Sequence, residues 1–125
     1  MKGKIENLRQ FLDELQENMS NLIGGFYGII VIEGEIKAAF YEAPDLETKK
    51  LVIQDAQNVV TSSRRMIEDA TVTNKHVGDQ LKRFPEDGKK HAVEEHLKLR
   101  ERVLIDVEAY IISLESQLNE LKNEI

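Results

Sequence analysis

Cysteine is absent from this chain of 125 residues, and its absence removes a whole group of functions. Without thiols the protein can form no disulfide, no cysteine-ligated zinc site and no thiol-based catalytic centre. The N-terminal residues run directly into an amphipathic pattern and lack the apolar core of a signal peptide. We therefore expect a cytoplasmic protein.

Proline, glycine and long apolar runs are also scarce. The chain has two prolines and seven glycines, while 41% of its residues are hydrophobic and 32% are charged. This composition is typical of an ordered, helix-rich protein, and the length suits a single domain over residues 1–125. The most apolar segment, residues 26–32, is far shorter than the roughly 20 residues of a membrane span. We expect no association with a membrane.

Net positive charge is lacking as well. The formal net charge is −6 at pH 7, and the sequence pI is about 5.1. An acidic surface repels the phosphates of nucleic acids and anionic lipids, which argues against binding to either across the whole surface. A local excess of basic residues lies at residues 75–102, which hold eight lysines or arginines against six acids. We call this segment the basic tip.

Motifs that would carry catalysis or bind a metal are missing. The three histidines, His76, His91 and His96, lack the Glu-x-x-His spacing of di-iron bundles and the His-Glu-x-x-His spacing of zinc proteases. Residues 61–63 carry hydroxyl groups, but no Gly-x-Ser-x-Gly elbow surrounds them. The glycines within residues 24–28 are followed by no Gly-Lys-Ser/Thr phosphate-binding sequence. We predict no catalytic residue, no metal and no cofactor.

A heptad-like pattern predicts the first helix, over about residues 3–22. Its apolar side chains step by three and four residues, at Ile5, Leu8, Leu12, Leu15, Met19 and Leu22. Gly24 and Gly25 are expected to end this helix, because glycine weakens the helical preference of the backbone.

The next segment, residues 26–42, predicts a β-hairpin. Residues 26–32 are rich in β-branched and aromatic side chains, which favour strands. A turn around Gly34 then lets residues 36–42 return as the partner strand. The alternative is one helix that continues through Ala43, which would have to accommodate four glycines and a run of β-branched residues.

Two long helices follow, over about residues 46–84 and 89–125, joined by a turn at residues 85–88. Asp45 is the expected N-cap of the earlier helix. Rows of apolar residues recur every seven positions in both helices, for example at Val52, Val59 and Met66 and at Leu97, Leu104, Ile111, Leu118 and Ile125. Residues 71–78 weaken the earlier helix, so a kink or break there stays open.

Arg100 interrupts the heptad rows of the last helix, at a position where valine or leucine is expected. A buried arginine must be paired, so it either sets the register of the bundle or lies beyond the buried part of the helix. Because Arg100 belongs to the basic tip, we predict the second alternative, with the guanidinium reaching solvent.

Taken together, these patterns predict a mainly α fold with a small β-hairpin, in the order α-ββ-α-α. The long antiparallel, heptad-patterned helical hairpin would form an oligomeric helical bundle. A short first helix and a two-stranded hairpin leave apolar surface uncovered, and a second copy would cover it. The predicted oligomer-interface residues are Phe26, Ile30, Ile32, Ile36, Phe40, Val103, Leu104, Val107, Ile111 and Leu114.

The predicted function is that of a non-enzymatic, homo-oligomeric protein-interaction module, such as an assembly factor, an adaptor or a chaperone-like protein. Its partners would be a second copy of the chain, in a dimer, and another protein. One alternative is a small nucleic-acid-associated or regulatory protein that uses the basic tip. A third is a ligand-binding or enzymatic helical bundle, which an apolar cavity beside Ser63 would support.

Overall fold

The structure, a computed structural model, describes the backbone of residues 8–125 and the side chains of residues 13 and 15–125. Three helices account for most of this part of the chain: α1 at Leu8–Glu42, α2 at Leu46–Leu81 and α3 at Gly88–Lys122. Each has 35 or 36 residues and is therefore about 53 Å long. The predicted start of the first helix, at residue 3, lies outside the described residues.

The three helices run up, down and up, and each packs against the other two. α1 and α3 are parallel, since Arg100 donates to the carbonyl oxygen of Leu15 near one end and Lys37 pairs with Glu120 near the other. α2 runs antiparallel to both, because short loops reverse the chain before and after it. The result is a helical bundle with an interior to which all three helices contribute.

The two loops are closed by the same two kinds of hydrogen bond, an aspartate N-cap and a lysine bound to a backbone carbonyl. Asp45, the predicted N-cap of α2, accepts a hydrogen bond of 2.7 Å from the backbone N–H three residues further on. Lys49 reaches back to the end of α1, where its Nζ donates to the carbonyl oxygen of Phe40 over 2.7 Å. The second loop repeats both contacts with Asp87 and Lys90. The N-cap prediction is confirmed, and each turn is closed by polar groups.

The predicted β-hairpin over residues 26–42 is wrong. That segment is the second half of α1, and the described residues contain no strand. Ile29 and Ile36 are buried and continue the seven-residue row that begins with Leu15 and Leu22. Burial of this row against two neighbouring helices outweighs the strand preference of β-branched residues, which depends on their surroundings. The alternative of one continuous helix is what the structure has.

α1 is therefore as long as its neighbours, and the shortfall predicted for a short first helix does not exist. α2 is continuous as well, so residues 71–78 do not break it. Its small residues Ala56, Ser63 and Ala70 are buried in a row. This row lets the neighbouring helices approach α2 closely.

The core consists of two clusters of buried side chains. The larger cluster contains Leu22, Ile29, Ile36, Phe40, Ile53, Ala56, Val60, Ala70, Val107, Ile111, Leu114, Leu118 and Leu121. The smaller cluster lies toward the loop between α2 and α3 and contains Leu15, Val77, Leu81 and Val93. Arg100 stands between the two clusters along α3, since Val93 belongs to one and Val107 to the other. The interior is thus divided by a charged residue.

Candidate functional site

Arg100 is fully buried, so the prediction that its guanidinium reaches solvent is wrong. Its Nε donates to Oδ1 of Asn74 over 2.6 Å. Its Nη1 donates to the backbone carbonyl of Leu15 over 3.1 Å, and its Nη2 donates to Oδ1 of Asn18. Asn74 lies on α2, whereas Leu15 and Asn18 lie on α1. All three helices therefore meet at one side chain, in what we call the Arg100 layer (Leu15, Asn18, Asn74 and Arg100).

The charge of Arg100 is held by neutral oxygens. All three acceptors are uncharged, and none of the ion pairs among the described side chains includes Arg100. Burial lowers the pKa of Arg100, yet an arginine keeps its proton in proteins. A buried ionic group often stabilises a fold no more than apolar side chains of the same volume would. We infer that the Arg100 layer fixes how the three helices are aligned along the bundle. If α3 slid along its neighbours, the guanidinium would lose its hydrogen-bond acceptors.

Two histidines carry buried, unpaired nitrogens in the same half of the bundle. The Nε2 atoms of His76 and His96 are buried and have no hydrogen-bond partner among the residues that the structure describes. Burial, and to a smaller extent the charge of Arg100, lowers the pKa of His96. That ring is therefore neutral at pH 7. Among the side chains that the structure describes (residues 13 and 15–125), no three or more His, Asp or Glu are grouped so that they could hold a metal ion.

A second feature lies on the surface of α1. Ile23, Tyr27 and Val31 follow one another at steps of four residues, and they are 44%, 68% and 51% exposed. Gly24 and Gly28 lie beside them, and no atom outside the local backbone lies within 4 Å of the position that a Cβ would take at either glycine. We call these five residues the α1 outer face. It combines exposed apolar side chains with open space.

Charge is absent from this part of α1. Residues 18–32 contain no charged side chain. The next acid, Glu33, points toward α3, where it accepts hydrogen bonds of 2.9 Å from Ser113 and Gln117. A surface helix of a monomeric protein normally presents a polar side to water, whereas this one presents an uncharged strip.

The glycines of the α1 outer face also lack a packing reason within the chain. Glycine inside a helix costs about 0.5–1 kcal/mol relative to alanine. At Gly25 a Cβ would come against the flexible end of the Met66 side chain on α2, which would have to move. At Gly24 and Gly28 a Cβ would enter open space. Nothing inside the described chain requires glycine at these two positions.

Two exposed apolar side chains on α3 have charged neighbours, unlike the α1 outer face. On α3, Ile105 and Ile112 are 69% and 55% exposed. Each has a glutamate within one helical turn, since Glu101 precedes Ile105 and Glu108 precedes Ile112 by four residues. Ile105 and Ile112 share one face of α3 with these glutamates, and exposed apolar residues next to charged ones are ordinary on a soluble helix.

The ten predicted interface residues lie elsewhere. Ile36, Phe40, Val107, Ile111 and Leu114 are buried in the larger cluster, Phe26, Ile32, Val103 and Leu104 pack against it, and Ile30 is half-buried. The structure brings these residues together within one chain. Tyr27 and Val31 were not predicted as interface residues. In the predicted hairpin they do not lie on a common surface with Ile23, whereas in a helix they do. The signal that could have found them is the four-residue spacing from Ile23 to Val31.

The basic tip is largely neutralised by its own acids. Lys90 pairs with Glu86 at 2.9 Å, and Lys98 pairs with Glu95 at 3.2 Å. Arg100 is buried and contributes no charge to the surface. A groove of about 460 Å³ between α2 and α3 is lined by three lysines and three glutamates: Lys82, Lys90, Lys98, Glu86, Glu94 and Glu101. The tip therefore presents mixed charge.

A smaller cleft lies between α1 and α2. Its volume is about 200 Å³, and its lining includes Asn18, Asn21, Ser62, Arg65 and Asp69. Arg65 and Asp69 stand one turn apart on the exposed side of α2. Ser63 does not line this cleft and is buried in the packed row of α2, so the cleft is not the apolar cavity beside Ser63 that would favour the ligand-binding alternative.

No protein-family model, curated protein or solved structure matches this chain. The described part of the chain is a three-helix bundle of the up-down-up type, with a buried arginine and an uncharged, solvent-exposed face on α1. Within residues 8–125, no helix has both the length and the apolar character of a membrane span.

Proposed function

We propose that the protein is a non-enzymatic protein-interaction module and that its binding surface is the α1 outer face. The observation that supports this is the uncharged strip over residues 18–32, from which Ile23, Tyr27 and Val31 project into solvent. Contiguous exposed apolar surface on a soluble protein normally marks a binding site. Tyrosine is also enriched among the residues that dominate protein–protein binding.

The role that fits such a surface is assembly, as in an adaptor, an assembly factor or a chaperone-like protein that self-associates. The bundle supports this surface, because the opposite side of α1 is packed into the core from Leu15 to Phe40. The cytoplasm remains the proposed location, since the cysteine-free chain needs no oxidising compartment. For the nucleic-acid alternative, the neutralised basic tip provides no supporting observation.

Site-specific photo-crosslinking tests this function. A photoreactive benzoylphenylalanine replaces Tyr27, and cells that naturally contain the protein are irradiated. We expect a covalent adduct with a protein, whose mass identifies the partner. Ile105 is the matched control position, because it is 69% exposed against 68% for Tyr27. Equal adduct yields at both positions, or none at position 27, would contradict the proposed binding surface.

A further inference from the structure

We propose that the α1 outer face binds a second copy of the chain, with the two α1 helices packed antiparallel about a two-fold axis between Tyr27 and Gly28. This inference rests on the proposed function and names the partner of the same surface. It follows from the order of large and small residues along α1, from the positions of its charges and from the glycines that one chain does not explain.

The face is complementary to itself in shape. In an antiparallel pair centred between residues 27 and 28, Tyr27 of one copy lies opposite Gly28 of the other. Val31 lies opposite Gly24 in the same way. A two-fold axis repeats each contact, so four large side chains meet four glycines. The open space at Gly24 and Gly28 is the room that these side chains need.

The charges on α1 are compatible with this arrangement and oppose the parallel one. The antiparallel pair places Glu17 opposite Ala38 and Glu35 opposite Ser20, so no like charges meet there. A parallel pair would place each glutamate against its own copy, which is destabilising. In the antiparallel pair, Asp13 of one copy would lie opposite Glu42 of the other. They lie about 22 Å from the axis, where crossing helices have diverged.

The dimer also gives Gly24 and Gly28 a packing reason that one chain lacks. Glycine weakens a helix, and small residues at a helix–helix contact allow the backbones to approach closely. The remaining surface of a chain with net charge −6 repels a second copy. The uncharged strip is where that repulsion is weakest.

Sedimentation equilibrium of the full chain tests whether the second copy binds there. We expect a mass of twice 14.3 kDa for the wild type at micromolar concentration. Tyr27→Glu should weaken the association by about 100-fold, since it would bury an unpaired carboxylate. Ile105→Glu should leave it unchanged, with circular dichroism showing that both variants are folded. Added salt should strengthen the dimer, because it screens the repulsion between acidic chains.

The orientation is tested with a spin label, which is simple to place because the chain has no native cysteine. Labels on Ser20→Cys should lie about 22 Å apart along the helix axis in the antiparallel dimer. A parallel dimer would bring them to about 10 Å, the distance between packed helices. The shorter distance would overturn the proposed two-fold axis.

Two other results would overturn the inference. A mass of 14.3 kDa that persists on concentration would exclude the second copy. If crosslinking at position 27 then still captured a different protein, the interaction function would stand without self-association. A dimer that is equally strong with Tyr27→Glu would place the interface on another surface, and it would count against the α1 outer face.

Discussion

Ile111→Asp is expected to unfold the protein, whereas Ile112→Asp is expected to leave it folded. Ile111 has no exposed surface and lies in the larger core cluster. An aspartate there would bury a carboxylate without a partner or would have to be protonated, at a cost of several kcal/mol. Domains of this size are stable by only about 5–15 kcal/mol, so most of the margin would be lost.

The adjacent residue is a close control. Ile112 is of the same type and lies on the same helix, but it is 55% exposed. Circular dichroism at increasing temperature measures both variants. A lowered melting temperature for Ile111→Asp alone agrees with the structure. Equal effects at the two positions would mean that the orientation of α3 is wrong.

The second large effect is expected in the Arg100 layer. Asn74→Leu removes the acceptor of Arg100 Nε and leaves a buried N–H group of a cation without a partner. A buried donor left without its hydrogen-bond partner costs about 1–3 kcal/mol, and more when it belongs to a charged group. Urea denaturation should show this loss. Asn58→Leu is the control, because Asn58 lies exposed on the same helix and bonds only at the surface.

Replacing the whole layer should reverse the loss. When Asn18, Asn74 and Arg100 are all changed to leucine, no buried polar side chain of the layer remains. Apolar replacement of a buried ionic group is often neutral or stabilising by about 1–4 kcal/mol. We expect the triple variant to be at least as stable as the wild type. A triple variant weaker than Asn74→Leu would show that the layer itself stabilises the bundle.

The sequence predicted α2, α3 and their connection well, because the signals for them are local and agree. Both helices carry heptad rows along most of their length. The predicted N-cap, Asp45, is the residue that caps α2. Residues 26–42 were mispredicted because the β-branched side chains and glycines favour a turn and strands locally. The opposite indication is the seven-residue row of Leu15, Leu22, Ile29 and Ile36. This row favours a helix only when its side chains are buried against the other helices.

The features of the candidate site were harder to predict for the same reason. Burial of Arg100 depends on acceptors supplied by Asn18 and Asn74, which lie 82 and 26 residues away along the chain. No local pattern indicates that these three side chains meet. The α1 outer face exists only once residues 23–31 are helical. Its prediction therefore failed together with that of the hairpin.

The bundle and its outer face both depend on the continuity of α1. Backbone NMR of residues 26–42 tests this continuity most directly. A continuous helix predicts downfield Cα shifts throughout this segment and strong contacts between successive amide protons. Contacts between the Hα protons of residues 26–32 and those of residues 36–42 would show paired strands, and they would contradict the structure.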